Sequence, residues 1–198
     1  MLRALLSRQI RAMERSFDYD AGYMRDILDV SPWTVLKFGF VASLGRGRHA
    51  PRETLAAAGI VGTLAGDCGP CTQISVDIAA RAGVSPDVLR AILAGDEAAM
   101  GETAALAWRF ARASLARNMV EADPLRDEIV RRWGKAGLVD IAMSLTTAQM
   151  YPTLKYALGH GKICSRVTVG GEATPFLSPS LPFWGGTDGE AVRVGKCR

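Results

Sequence analysis

No apolar run in this 198-residue chain approaches the roughly 20 residues that cross a bilayer; the longest, near Trp33 to Leu44, is interrupted by Lys37. A soluble protein with no membrane partner is expected. Runs of β-branched residues are scarce over the first 160 positions, where alanine, leucine, arginine and methionine dominate, which disfavours sheet and favours an all-α class. Cysteine is sparse, and four in a chain of this length are too few for a disulfide scaffold. The N-terminus lacks a contiguous apolar segment followed by a small-residue cleavage site, with Arg3, Arg8 and Arg11 scattered through it, so no secretory signal is read and a cytoplasmic address is the expectation. A strong charge bias is missing too. The net charge is +4, and its arginines are spread over many segments instead of interleaving with aromatics on one stripe, which argues against nucleic acid as a partner. The local cluster Arg46, Arg48, His49 and Arg52 reads as a solvated loop flanking a helix.

No repeat or flexible linker divides the chain before its tail, so a single core is expected. The reading is a helical segment at 1–45 packed on the core, the core itself at 46–164, and a Gly/Pro-rich extension at 165–198. Residues 2–15 place Leu2, Leu6, Ile10 and Met13 on one side of an amphipathic helix. A second helix is expected over 19–29. Ser31-Pro32, an N-cap followed by proline at the first helical position, opens a third that runs to Leu44 and stops at Gly45 and Gly47. Pro51 starts a fourth, whose run TLAAAGIVGTLAG holds no charge and is small on every side, as a buried central helix would be. Cys71 is expected to begin a helix ending at Gly83, and Ser85-Pro86 to cap a short one stopped by Gly95. Two amphipathic helices follow, from Glu102 to Asn118 and from Asp123-Pro124 onward; their Trp108 and Trp133 read as core filling, not as a cofactor box. A last helix carries Leu138, Ile141, Leu145 and Ala148, and Pro152 is expected to kink or break it before Leu158. The tail contains a Val-Thr-Val stretch suited to a short strand or hairpin. Its Phe176, Phe183 and Trp184 are expected to lie across the domain or a neighbour.

The strongest chemical signal is Asp67-Cys68-Gly69-Pro70-Cys71-Thr72-Gln73-Ile74-Ser75. Cysteines three positions apart at the opening of a helix lie among backbone N–H groups that lack intrahelical partners, close to the positive end of the helix dipole, so the thiolate is favoured. The intervening Gly-Pro permits the sulfurs to approach and alternate between dithiol and disulfide. Structural thiols, or half of a zinc site completed by His160 and Cys164, are the competing readings of the same spacing. No metal or cofactor is called for by the redox reading. Cys164 and Cys197 have no assigned role.

In this context, the stretch from Arg52 to Ala157 resembles the carboxymuconolactone decarboxylase family, and within it the alkylhydroperoxidase D-like branch. The resemblance rests on Arg52-Glu53, the small-residue helix, Cys68-x-x-Cys71, and ISVDIAARAGVSPDVLRAILAGD with its Ser-Pro corner. It implies an all-α bundle, association into homo-oligomers of the trimer or hexamer kind, and a thiol-dependent oxidoreductase acting on a hydroperoxide or a disulfide with a protein or small dithiol as reductant. By position it makes Cys71 the attacking thiolate and Cys68 the more exposed resolving thiol. The family's relay histidines fall on Ser75 and Pro70 and its relay glutamate on Ala56, with Glu53 three positions early, so the relay is degraded. Ser75, Asp67 and Asp77 are the candidate replacements. A lyase acting on a lactone acid without redox chemistry, and a non-catalytic oligomeric module with structural cysteines, are the alternatives.

Overall fold

The structure, a computed structural model, describes residues 1–161, 167–177 and 192–193. The fold class is all-α with a few short strands, carried by α1 (Leu2–Phe17), α2 (Gly22–Val30), α3 (Pro32–Leu44), α4 (Arg52–Ala65), α5 (Gly69–Arg81), α6 (Pro86–Ala94), α7 (Glu97–Leu115) and α8 (Met119–Ala157). The capping signals act where the sequence places them. Ser31 Oγ accepts from Thr34 N at the start of α3, and Ser85 Oγ accepts from Val88 N at the start of α6, each with proline in the first turn. Gly95 ends α6 at φ 73°, in the left-handed region where a missing Cβ removes the steric penalty.

The centre of the molecule is α4. From Ala56 to Leu64 every residue is buried, and the helix packs against α5, α7 and α8. Its approach to α8 depends on small residues: a Cβ added at Gly62 would stand 2.7 Å from the Leu145 carbonyl oxygen and 3.0 Å from Ala148 Cβ. A Cβ at Gly66 would run into the ring of Pro152. Ser144 Oγ, reaching across from α8, donates to the Leu55 carbonyl at 2.9 Å. The uncharged, Ala/Gly-rich run thus lets two backbones lie nearly in contact.

Within the last two helices the boundaries depart from the sequence expectation at the start of α8 and at Pro152. Asp96 caps a helical turn from Glu97 that breaks at Gly101, just before the helix expected from Glu102, while α8 begins at Met119 with Asn118 Oδ1 accepting from Glu121 N, so Pro124 lies inside α8 instead of opening it. Backbone breaks occur at glycines: Gly101 (φ 72°, ψ 158°) within α7 and Gly134 (φ 69°, ψ 178°) within α8. Helical dihedrals persist through Pro152 to Ala157, its buried ring lying where a Cβ at Gly66 would stand.

The apolar interior also divides where one core was expected. The larger cluster joins α4 to α8 with Val167, Val169 and Phe176 from the tail; Trp108 is 3 % exposed within it, as core filling requires. The smaller one is built from Leu6, Ile10, Tyr23, Leu28 and Val35 of the N-terminal helices with Tyr19 between α1 and α2, and Ile74 of α5 and Leu154 of α8 pack against it. Arg81 ties the two further, its guanidinium 4.0 Å from the Phe17 ring centroid and donating to the Ser16 carbonyl at 2.6 Å. The expected Val-Thr-Val strand is β1 (Val167–Val169), paired antiparallel with β2 (Glu172–Thr174) across Gly170-Gly171, both at positive φ. A second pairing joins β3 (Phe176–Leu177) to β4 (Val192–Arg193). Phe183, Trp184, Cys164 and Cys197 lie outside the described residues.

Candidate functional site

The chain leaves α4 through Gly66 and Asp67, with Asp67 in the left-handed region at φ 48°, and turns directly into α5. Cys68 is the N-cap of α5. Its Sγ accepts a hydrogen bond from Cys71 N at 3.3 Å, so sulfur occupies the place that a serine or aspartate oxygen usually takes. Thr72 returns two bonds to the Cys68 carbonyl, from N at 2.9 Å and from Oγ1 at 3.1 Å. Cys68 and Cys71 are joined as a disulfide, with Cα atoms 5.2 Å apart. The helix therefore starts at Gly69, two residues before the expected Cys71, and both cysteines sit on its opening turn.

The sulfur-bearing residues do not differ in exposure: Cys68 is 5 % exposed and Cys71 4 %. The expectation of a more exposed Cys68 is corrected here, since a residue whose sulfur folds back over the helix start as its cap is held inward with the rest of the turn. Tyr156, near the end of α8, donates from its hydroxyl to the Asp67 carbonyl at 2.7 Å, which ties the end of α8 to the turn that precedes Cys68. Burial and the Asp67 carboxylate nearby push the Tyr156 phenol up from its ordinary range.

The candidate relay residues are scattered. Ser75, one turn beyond Cys71, is half-buried. Asp67 is exposed, and Asp77 accepts from Gln73 Nε2 at 2.8 Å. Glu53 stands in the first turn of α4, roughly 18 Å of helical rise from the end that delivers Cys68, and pairs with Arg52. Ala56, at the relay glutamate's position, is buried among apolar neighbours. His160 is drawn away from the cysteines as well: its Nε2 lies 2.6 Å from Asp26 Oδ2, and its ring meets Tyr23 edge-on. Cys164, which a four-ligand zinc site would need, lies outside the described residues. Among the described residues no cluster of three or more His, Cys, Asp or Glu side chains is placed to hold a metal ion, and no helix is long and apolar enough to cross a membrane.

The residue that sequence reasoning missed is Gln73. Two positions after Cys71, its amide imitates a neighbouring strand: Oε1 accepts from Thr168 N at 2.6 Å and Nε2 donates to the Thr168 carbonyl at 3.1 Å. This fastens β1 to the cysteine-bearing helix. A glutamine two positions after a reactive pair was the available signal, but nothing local names a partner 95 positions away.

The basic loop takes a structural role. Arg48 N and His49 N donate to Asp140 Oδ2 at 2.7 and 2.6 Å, and His49 Nδ1 is 3.2 Å from the same oxygen. Desolvation acts to raise the Asp140 carboxyl pKa, but the bonds from His49 and Arg48 outweigh it and hold it below its ordinary value. Searched against family models, curated proteins and solved structures, the chain matches none of them.

Proposed function

We propose that the chain is a thiol-dependent oxidoreductase in which Cys68 and Cys71 alternate between dithiol and disulfide. The observation that carries this reading is the placement of both sulfurs on the first turn of α5, joined to each other, with Cys68 Sγ accepting the Cys71 amide. In the reduced state that amide and the helix dipole would favour a thiolate at Cys68, a charge-assisted version of the same bond.

Thiol–disulfide exchange is the chemistry this arrangement favours. The Cys68 thiolate attacks one sulfur of a substrate disulfide and releases the other as a thiolate that takes up a proton. Cys71, deprotonated to the solvent, then attacks Cys68 in the mixed disulfide and expels the second substrate thiolate. The substrate gains two electrons and two protons, and the pair ends as the disulfide. A dithiol reductant, protein or small molecule, reverses these steps on the enzyme. Peroxide reduction is the second reading and follows from the family resemblance: Cys71 thiolate takes oxygen from a hydroperoxide to form a sulfenic acid and an alcohol, and Cys68 condenses with it, releasing water. Exchange is preferred because it needs no separate proton donor to a peroxide oxygen, and the relay positions hold Ser75, Pro70 and Ala56.

Single substitutions separate the two. With a small aromatic disulfide, Cys71→Ser should accumulate a mixed disulfide at Cys68, whereas Cys68→Ser should react slowly. Rapid formation of a sulfenic acid at Cys71 in Cys68→Ser, together with inert Cys68 in Cys71→Ser, would replace exchange by peroxidase chemistry. The association into homo-oligomers that the resemblance implies belongs to this proposal.

A further inference from the structure

Helix α3 is apolar on every side, yet the fold buries only one of them. Val35 is 6 % exposed, and Phe38 meets the rings of Tyr23 and Tyr151 edge-on at centroid distances of 6.1 and 5.4 Å. With about 100° between successive residues, Trp33, Leu36, Phe40 and Leu44 fall within a stripe roughly 80° wide on the opposite side. Trp33 and Phe40 are each 68 % exposed, Leu36 38 % and Leu44 39 %, and Val30, just before the helix, is 87 % exposed. The charged residue beside this stripe is Lys37. A helix without a polar face is one that the folded state covers on both sides.

We propose that this face of α3 is the contact between two copies of the chain, related by a two-fold axis. The occupant follows from area and charge. Aromatic side chains present about 150–250 Å² each, so the exposed parts of Trp33 and Phe40 with those of Val30, Leu36 and Leu44 come to roughly 400–500 Å² of apolar surface. A two-fold axis uses the patch twice, and with its flanking Thr34, Lys37 and Ser43 the pair exceeds the roughly 1,000 Å² that a specific interface needs. Lys37 is the one charge beside the stripe, which favours an apolar occupant over an acidic one there; the exposed Arg46 and Arg48 belong to the loop beyond its end. An almost uncharged, aromatic-anchored patch is complementary to another of its kind. The surface lies outside the stretch that carries the thiol chemistry; the inference rests on the homo-oligomer proposed above and names its contact face, and it fails separately if the wild type associates but Phe40→Glu associates equally.

Sedimentation velocity of the full chain at micromolar concentration tests this directly. The wild type should sediment as a dimer or larger multiple of the 21.2 kDa chain. Phe40→Glu and Trp33→Lys should each fall to a smaller species with unchanged far-ultraviolet circular dichroism. The dissociation constant should rise about 30-fold for one lost ring and, because a two-fold contact holds the change twice, roughly a thousandfold in all. Val120→Glu, at a site 90 % exposed on α8, should leave the mass unaltered. Equimolar Phe40→Glu and Phe40→Lys should re-associate, which a misfolded variant would not do. A monomeric wild type overturns the proposal, as does a monomer that co-sediments with phosphatidylglycerol vesicles, or a Phe40→Glu chain that associates like the wild type.

Discussion

The packing of α4 against α8 makes a sharp claim about its glycines. Exchanging Gly62 for alanine in the middle of a helix should, from backbone entropy alone, stabilise the fold by up to about 1 kcal/mol. At this site the new Cβ would lie 2.7 Å from the Leu145 carbonyl oxygen and 3.0 Å from Ala148 Cβ. The nearer obstacle is backbone in a neighbouring helix and has no rotamer to adopt, so the helices must separate by several tenths of an ångström. Overpacking of this kind costs about 1–3 kcal/mol, and with rigid backbone as the obstacle the upper half of that range applies. The net expectation is a loss of about 1–2 kcal/mol, a fall in Tm of roughly 2–8 °C for a chain of this size. Gly59→Ala is the control. It shares the helix, the burial and the entropic gain, but its Cβ would meet only the Ser144 side chain, at 3.3 Å. Its Tm should stay within about 2 °C of wild type or rise, since the clash is mild and the entropic gain of up to ~1 kcal/mol remains. Calorimetric or circular-dichroism melts of both variants read the difference. Gly62→Ala melting at or above the temperature of Gly59→Ala would refute the close-approach argument, since helix propensity treats the sites alike.

Gln73→Leu should release the β1 strand from α5: hydrogen exchange at the Thr168 amide should speed up by at least tenfold while the α4 amides keep their protection, and unchanged exchange at Thr168 would contradict the clamp. Asp140→Asn removes the charge that receives the Arg48 and His49 amides and should cost about 1–3 kcal/mol near neutral pH, measured by urea unfolding. Because the folded Asp140 pKa lies below the unfolded value, its stabilisation is fully present above that unfolded value and fades as pH falls through the folded one. The gap between wild type and Asp140→Asn should therefore close on acidification below about pH 4. A gap that widens there would reverse the sign of the argument.

Much of the architecture was legible because it depends on short-range chemistry. The Ser-Pro starts of α3 and α6 are N-cap bonds within three residues, Gly83 and Gly95 take the positive φ that terminates a helix, and the charge-free run of α4 is buried as such a run must be. What could not be read were choices made by tertiary contact. Pro152 carries a local signal to break, but Gly66, the C-cap of α4, gives its ring a place and the helix runs on; the break at Gly134 falls between the helices expected to carry Trp133 and Leu138. The split of the interior into two clusters depends on how α1 to α3 dock on Ile74 and Leu154, which no periodicity within those helices specifies. At the site, spacing located Cys68 and Cys71 and the helix they open. It was silent about the sulfur serving as cap, the equal burial of the pair, and the ties made by Tyr156 and Gln73, all of which bind residues roughly 90 positions apart in the chain or need three-dimensional placement.

The measurement that bears most directly on the redox reading is a count of titratable thiols with peptide mapping, on protein reduced and then exposed to oxidised dithiol or to peroxide. The account predicts the loss of two thiols, mapped to Cys68 and Cys71 on one peptide, restored in full by a small dithiol, and abolished as a pair in Cys68→Ser and in Cys71→Ser. A Cys68–Cys71 pair that stays reduced under both oxidants, in a protein that melts as the untreated chain does, would contradict it.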